Sequence, residues 1–204
     1  MTQTAFDPRT TALLLGDLQN DFIDAAGAYG RAGQSAPEIA ALPQRLKPLR
    51  DALRAKGGLV IATQFTLVPG RNGVPLMSPH LRQLRPFLKA GDFAPGSWGN
   101  ATVDDLQPVD AAIEKVAYSA FYMSRLEWVI RKLGVTRLLV AGIVTNGGVA
   151  STVRDAHVRD IDVTVLEDGC AAFSPAVHRT AIEALRPVAR IAFVAEIIAE
   201  VAAA

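Results

Sequence analysis

Short apolar segments without polar alternation recur along this chain and constrain its fold more than any other feature. Strands buried on both faces have this pattern, whereas strands with one wet face alternate apolar and polar residues. Segments with helical spacing separate most of them. We therefore predict an α/β fold of three layers, with helices on both faces of a six-stranded, mostly parallel sheet. The predicted strands are residues 11–15, 59–63, 111–116, 138–143, 161–166 and 189–194, and the predicted helices are residues 36–56, 80–88, 121–133, 146–159, 174–185 and 196–201.

The composition indicates one soluble globular domain. The chain has 204 residues, half of them hydrophobic, so residues 1–204 are predicted to bury a single core. A formal charge of +1 with interspersed signs predicts no binding to nucleic acid or to a membrane surface. The single cysteine excludes an internal disulfide, and the first residues lack the pattern of a secretory signal. No apolar run reaches the roughly 20 residues that span a bilayer, so the predicted location is the cytoplasm.

A tight turn follows the fourth predicted strand and is the first candidate for a binding site. Thr145, Asn146, Gly147 and Gly148 are small or turn-forming residues, and helical periodicity resumes after them. A sharp strand-to-helix turn points backbone N–H groups into a cleft, where they suit an anion or an oxygen that gains negative charge during a reaction. The alternative is an ordinary connection without a ligand.

Polar residues also lie where the first three predicted strands end. In parallel sheets, ligands bind outside the carboxyl ends of the strands. That rule brings together Asp17 after strand one, Gln64 after strand two, Lys115 near the end of strand three and the Gly147–Gly148 turn. A carboxylate that faces an ammonium group can hold a substrate or relay a proton. In the alternative interpretation, Asp17 caps a loop and Lys115 is a solvated charge at a strand end.

Four separated blocks of this sequence together resemble the isochorismatase-like hydrolase superfamily. That group includes isochorismatases, nicotinamidases, N-carbamoylsarcosine amidohydrolase and ureidoacrylate amidohydrolases. The resemblance extends over residues 11–194 and is specific, because all four blocks occur in the family's order at sensible distances. The blocks are LLGDLQNDF at 14–22, Lys115 followed by YSAF at 118–121, GIVTNGGV at 142–149 with TVRDA at 152–156, and ED at 167–168 with CAA at 170–172.

The resemblance implies a Rossmann-like sheet of six strands and a catalytic set of aspartate, lysine and cysteine. Asp17 matches the aspartate and Lys115 the lysine, but Gly148 stands where the family has its nucleophilic cysteine. It also implies a cis peptide bond between Ile143 and Val144. That bond would aim the N–H groups of Val144 and Gly148 as an oxyanion hole.

The resemblance further implies what surrounds the substrate. Three aromatic side chains are expected to line the pocket, although a place in the core is the alternative for each. Metal-binding nicotinamidases carry Asp-x-His after strand two, whereas this chain has Gln64-Phe65-Thr66, so no metal and no cofactor are predicted. The histidines at 80, 157 and 178 are predicted to be surface or packing residues. The predicted substrate-binding residues are Phe22, Gln64, Trp98, Phe121, Val144, Thr145, Asn146 and Gly147.

Gly148 leaves three interpretations open, because a thiolate cannot attack from a residue without a side chain. In the first, an isochorismatase-type hydrolase protonates a vinyl ether through Asp17, and water captures the resulting oxocarbenium ion. In the second, an amidohydrolase has lost its cysteine, naturally or by mutation, and Asp17 activates water against an amide or ureide. In the third, the protein binds a small molecule without catalysis, although the retained Asp17 and Lys115 favour an enzyme. Cys170 is predicted to be a buried structural residue and not a substitute nucleophile.

A small, polar substrate is the predicted partner. Its pocket is expected to be shaped by residues 66–110, an excursion rich in proline and glycine. Arg71 in this excursion either clamps a substrate carboxylate or is a solvated loop residue. The apolar C-terminal sequence AEIIAEVAAA, together with the family resemblance, predicts a homodimer or a higher homo-oligomer.

Overall fold

Six parallel strands form one central sheet in the computed structural model, which describes residues 6–204. The strands are β1 (Thr11–Gly16), β2 (Leu59–Phe65), β3 (Ala111–Lys115), β4 (Arg137–Ile143), β5 (Asp162–Ala171) and β6 (Arg190–Ala192). Their order across the sheet is β3-β2-β1-β4-β5-β6, and every neighbouring pair is parallel. The prediction of a parallel six-stranded sheet is therefore confirmed.

Helices cover both faces of this sheet, as predicted. The helices are α1 (Asn20–Ile23), α2 (Ala28–Arg31), α3 (Pro37–Ala40), α4 (Leu42–Ala55), α5 (Pro79–Leu84), α6 (Leu126–Lys132), α7 (Ala150–His157), α8 (Pro175–Glu183) and α9 (Val194–Ala203). None of the helices within residues 6–204 is long and apolar enough to cross a membrane. The helices α1 and α2 were not predicted, because four residues are too few to display helical periodicity.

The two faces of the sheet carry separate hydrophobic cores. On one face, Leu13 of β1 packs with Leu49 of α4 and Ile197 of α9. On the other face, Leu14 packs with residues of α6, α7 and α8, of which Val153 is completely buried. Leu13 and Leu14 can serve opposite faces because successive side chains of a strand alternate. A sheet that is covered on both faces therefore requires strands whose residues are apolar without interruption.

The fifth strand is longer than its apolar segment predicted. The predicted strand ended at residue 166, but β5 continues to Ala171. Its pairing with β4 shifts between Val140 and Gly142, so that Gly142 lies opposite Cys170. This irregularity lets β5 carry the polar sequence Glu167-Asp168 and then rejoin the ladder.

The excursion of residues 66–110 is anchored through the buried carboxylate of Asp21, which lies on α1 shortly after β1. That carboxylate accepts hydrogen bonds from the backbone N–H groups of Ala28, at 2.9 Å, and Phe93, at 2.6 Å. Phe93 and Tyr29 belong to a third hydrophobic cluster beside the main core. The anchor places an aromatic wall next to the carboxyl ends of β1 and β2.

The sheet has its topological switch point at β1, which pairs with β2 on one side and β4 on the other. Connections leave in opposite directions there, and open α/β sheets bind their ligands in the resulting crevice. The two strands meet at Gly16 and Gly142, which are paired in the ladder. Gly142 has φ 117°, and a Cβ atom on it would lie 2.2 Å from the carbonyl oxygen of Gly16.

We predict that Gly142→Ala lowers the free energy of unfolding by about 3 kcal/mol or more, because strained backbone and overpacking each cost about 1–3 kcal/mol. Gly134→Ala is the matched control, since Gly134 has φ 68° and no atom within 4 Å of its added Cβ. In the control, the free energy of unfolding is expected to fall by about 1 kcal/mol. Urea unfolding of both variants measures the difference. Equal losses would show that the close approach of β1 and β4 is not as described.

Candidate active site

A buried ion pair lies at the carboxyl end of the sheet. The Lys115 Nζ atom is 2.7 Å from Asp17 Oδ2, and the two side chains are 3% and 7% exposed. The second carboxylate oxygen of Asp17 accepts a hydrogen bond from the Thr63 hydroxyl at 2.7 Å. Lys115 also donates to the carbonyl oxygen of Ala117 at 2.9 Å. Each charged group is therefore held by two partners, which orients both while little of either side chain is exposed.

The order of the strands explains why these residues meet. Asp17 follows β1 directly and has φ 57°, a left-handed conformation that aspartate tolerates. Thr63 lies near the end of β2, and Lys115 is the last residue of β3, where it pairs with Phe65. Because β3, β2 and β1 are neighbours and parallel, their carboxyl ends share one edge. The prediction that Asp17 and Lys115 converge there is confirmed.

The turn after β4 closes the other side of the site. The peptide bond between Ile143 and Val144 is cis, as the resemblance implied. A π-helical turn, Thr145–Val149, follows and leads directly into α7. Gly148 lies on this turn, and an added Cβ there would lie 3.4 Å from Asp17 Oδ2 and 3.0 Å from the carbonyl oxygen of Ile143. A side chain at residue 148 would therefore project toward the carboxylate, with slight crowding against β4.

A cavity of about 580 Å³ joins the ion pair and the turn. Of the predicted substrate-binding residues, Phe22, Val144, Asn146 and Gly147 line it, and so does Gly148. Its wall is mainly apolar and aromatic, with a few polar groups among the rings. The aromatic residues of the wall are Phe22, Tyr29, Phe65, Tyr118 and Phe173. Such a cavity suits a small molecule with an apolar body and a few polar atoms.

Two predicted contacts with substrate are corrected by the direction of the side chains. Gln64 does not line the cavity, because β2 continues to Phe65 and side chains alternate along it. Thr63 and Phe65 face the site, which leaves Gln64 on the opposite face. Thr145 is completely buried, and its hydroxyl lies 2.8 Å from His178 Nδ1 on α8 and not in the cavity. Burial lowers the pKa of His178, which favours a neutral ring beside this hydroxyl.

Two predicted aromatic contacts are also wrong. Trp98 is 55% exposed and contributes its carbonyl oxygen to a hydrogen bond from Asn20, outside the cavity. Phe121 is a buried core residue between the sheet and the helices α6 and α7. The guanidinium group of Arg159 covers its ring at 4.8 Å from the centroid. Phe121 thus follows the alternative of a place in the core, whereas Trp98 lies neither in the cavity wall nor in the core.

Several lining residues were missed by sequence reasoning. Tyr29, His80 and Arg85 all line the cavity, and His80 is also an exposed surface residue, as predicted. Arg71, the predicted clamp, is exposed and outside the cavity lining, whereas Arg85 is inside it. The short helix predicted around residues 80–88 was the sequence signal that could have pointed to these lining residues. The orientation of that helix depends on its contacts with α2, which is distant in sequence.

Cys170 lies on β5 and is buried, as predicted. Its sulfur contacts the carbonyl oxygen of Val140 at 3.7 Å, and burial raises the pKa of its thiol to about 12. A thiol in this state has almost no thiolate at neutral pH and is a poor nucleophile. Among residues 6–204, no group of three histidine, cysteine or acidic side chains is arranged to hold a metal ion.

Two named proteins with similar sequences are ureidoacrylate amidohydrolases. The ureidoacrylate amidohydrolase RutB of Caulobacter vibrioides is 35% identical over 173 residues, which cover 79% of this chain and 77% of that protein. The ureidoacrylate amidohydrolase RutB of Methylobacterium radiotolerans is 35% identical over 190 residues, which cover 87% of this chain and 74% of that protein.

Solved structures share the fold of this chain. A cysteine hydrolase from Pseudomonas syringae pv. phaseolicola superimposes with a TM-score of 0.83 at 24% identity, over 100% of this chain and 99% of the other. N-carbamoylsarcosine amidase from Thermoplasma acidophilum gives a TM-score of 0.70 at 22% identity, over 91% and 96%. The sequence model of the isochorismatase domain matches residues 11–198. The predicted family is therefore confirmed, and the chain belongs to the isochorismatase family of hydrolases.

Proposed function

We propose that this protein hydrolyses the C–N bond of a small amide or ureide, with Asp17 as the general base that activates water. The observation that carries this proposal is the space at Gly148. An added Cβ at this residue would lie only 3.4 Å from Asp17 Oδ2. The family's cysteine would occupy that space, and in this proposal a water molecule takes its place between the carboxylate and the carbonyl carbon of the substrate. The relatives named ureidoacrylate amidohydrolases support a substrate of the amide or ureide class.

The reaction follows from the positions of these groups. Asp17 takes a proton from the water as its oxygen attacks the carbonyl carbon. The electron pair of the C=O bond moves to the oxygen, where backbone N–H groups of Val144 and Gly148 stabilise the negative charge. The C–N bond then breaks, and Asp17 returns its proton to the leaving nitrogen. Lys115 keeps the carboxylate oriented through the 2.7 Å ion pair.

Vinyl-ether hydrolysis is the second candidate, because it also needs no nucleophile at residue 148. In that reaction Asp17 gives a proton to the enol-ether carbon, and water captures the oxocarbenium ion. The mainly apolar wall favours a substrate with fewer negative charges than a dicarboxylate, because the ammonium group of Lys115 is already bound to Asp17 and Ala117. The two reactions give different products, an amine or ammonia in one case and a carbonyl compound in the other.

We predict that Asp17→Asn lowers kcat/KM for small amides and ureides by about 100-fold or more, because an amide cannot accept the proton. The assay measures released amine or ammonia over a panel of such compounds. Asp160→Asn is the matched control: Asp160 has φ 56°, close to the φ 57° of Asp17, and is exposed outside the cavity. Full activity of Asp17→Asn would refute both hydrolytic candidates. A wild-type protein inactive on amides and vinyl ethers alike would leave binding as its function.

Gly148→Cys and Gly148→Ala test the space beside Asp17. The alanine Cβ occupies the position of the proposed water, so we expect hydrolysis by this variant to fall. The cysteine restores a nucleophile, and we expect faster amide or ureide hydrolysis together with alkylation by iodoacetamide at neutral pH. Cys170 is the internal control, because burial raises its pKa to about 12 and it should stay unlabelled in the folded protein. An unlabelled Gly148→Cys variant, or an alanine variant as active as wild type, would contradict the proposed geometry.

A further inference from the structure

One cationic side chain in the cavity wall has no role in the proposed reaction. The wall contains three side chains with a carboxylate, ammonium or guanidinium group, which are Asp17, Lys115 and Arg85. The first two neutralise each other at 2.7 Å. Within residues 6–204, no carboxylate forms an ion pair with Arg85. The cavity therefore carries a net positive charge that belongs to Arg85.

The guanidinium group of Arg85 is held in place by its surroundings. Its Nε atom donates to the Tyr29 hydroxyl at 2.8 Å, and Nη1 donates to the carbonyl oxygen of Leu84 at 3.0 Å. Its central carbon lies 5.9 Å from the ring centroid of Tyr29 and 5.8 Å from that of Phe173. These two rings stack at 5.4 Å with an angle of 8° between their planes. The group is therefore preorganised against an aromatic surface.

Arginine has more donors than these contacts use. The side chain carries five N–H bonds, and the part of the chain that the structure describes occupies two of them. The remaining donors belong to a group that is partly buried and lines the cavity. An anion that binds there meets less competition from water than on an open surface.

A row of aromatic rings connects Arg85 with the ion pair. The Lys115 Nζ atom lies 5.6 Å from the ring centroid of Phe65. Phe65 and Phe22 are 6.3 Å apart by ring centroids, and Phe22 and Tyr29 are 4.8 Å apart. The row ends at Tyr29, which receives the hydrogen bond from Arg85. An extended ligand along this row would place one end at Asp17 and the other at Arg85.

We propose that Arg85 is the carboxylate-binding subsite of this cavity, so that the substrate is an amide or ureide with an apolar body and a carboxylate at its far end. The identification of the scissile bond rests on the proposed function, whereas the anion site does not. The planar fork of arginine matches a carboxylate with two parallel hydrogen bonds. A single cation among apolar walls suits a monoanion better than a phosphate, which has about two negative charges to balance.

The test compares two probes that contain no bond for the enzyme to cleave. Calorimetric titration measures the Kd of 3-phenylpropionate and of 3-phenylpropan-1-ol, which share one apolar body. We expect wild-type protein to bind the carboxylate about 10-fold or more tightly than the alcohol. Arg85→Gln should remove that preference by weakening the carboxylate alone, and Arg85→Lys should retain part of it, because a charge remains without the fork.

Arg71→Gln is the control for loss of a positive charge, since Arg71 is exposed and does not line the cavity. It should bind both probes as the wild type does. Equal binding of the two probes to wild type, or an unchanged carboxylate affinity in Arg85→Gln, would overturn the proposal. Equal weakening of both probes would also overturn it, because Arg85 would then only shape the wall. Arg85-dependent binding without any amide hydrolysis would refute the proposed function and leave this subsite standing.

Discussion

The buried ion pair between Asp17 and Lys115 is the interaction on which the site depends. Two charges with 7% and 3% exposed side chains are costly to remove from water, and only their mutual contact with further hydrogen bonds offsets that cost. Thr63 and Ala117 supply those hydrogen bonds from neighbouring parts of the sheet edge. The pair is possible because β3, β2 and β1 are parallel neighbours that end together. Fold and chemistry are therefore linked through strand order.

The site keeps the surroundings of a nucleophile but has no side chain at residue 148. The carboxylate, the cis peptide before Val144 and the turn that contains Gly148 surround one end of an apolar cavity. A water molecule can take the place of a missing nucleophile if a base activates it and backbone donors receive the negative charge. In our proposal, Arg85 at the other end of the aromatic row binds the carboxylate of the substrate. The proposal thus gives the two ends of the cavity separate chemical tasks.

Much of this architecture was predictable from the sequence, and the exceptions have physical causes. Uninterrupted apolar strands imply a sheet covered on both faces, and parallel strands bring Asp17 and Lys115 to one edge. The prediction for Gln64 was wrong because β2 runs two residues beyond its predicted end. Side chains alternate along the strand, so Gln64 faces away from the cavity. Phe121 shows that aromatic character alone does not separate core from pocket. Arg85 was missed because the orientation of residues 66–110 depends on distant contacts such as the one with Tyr29.

The coupling energy between Asp17 and Lys115 tests this account most directly. Urea unfolding of the wild type, Asp17→Asn, Lys115→Met and the double variant gives the four free energies that this coupling energy requires. In each single variant, the free energy of unfolding is expected to fall by about 3 kcal/mol or more, because the other member of the ion pair remains as an unpaired buried charge. The double variant should then lose less than the sum, by about 2 kcal/mol or more. Losses that add to within about 0.5 kcal/mol would contradict a buried pair at the centre of the site.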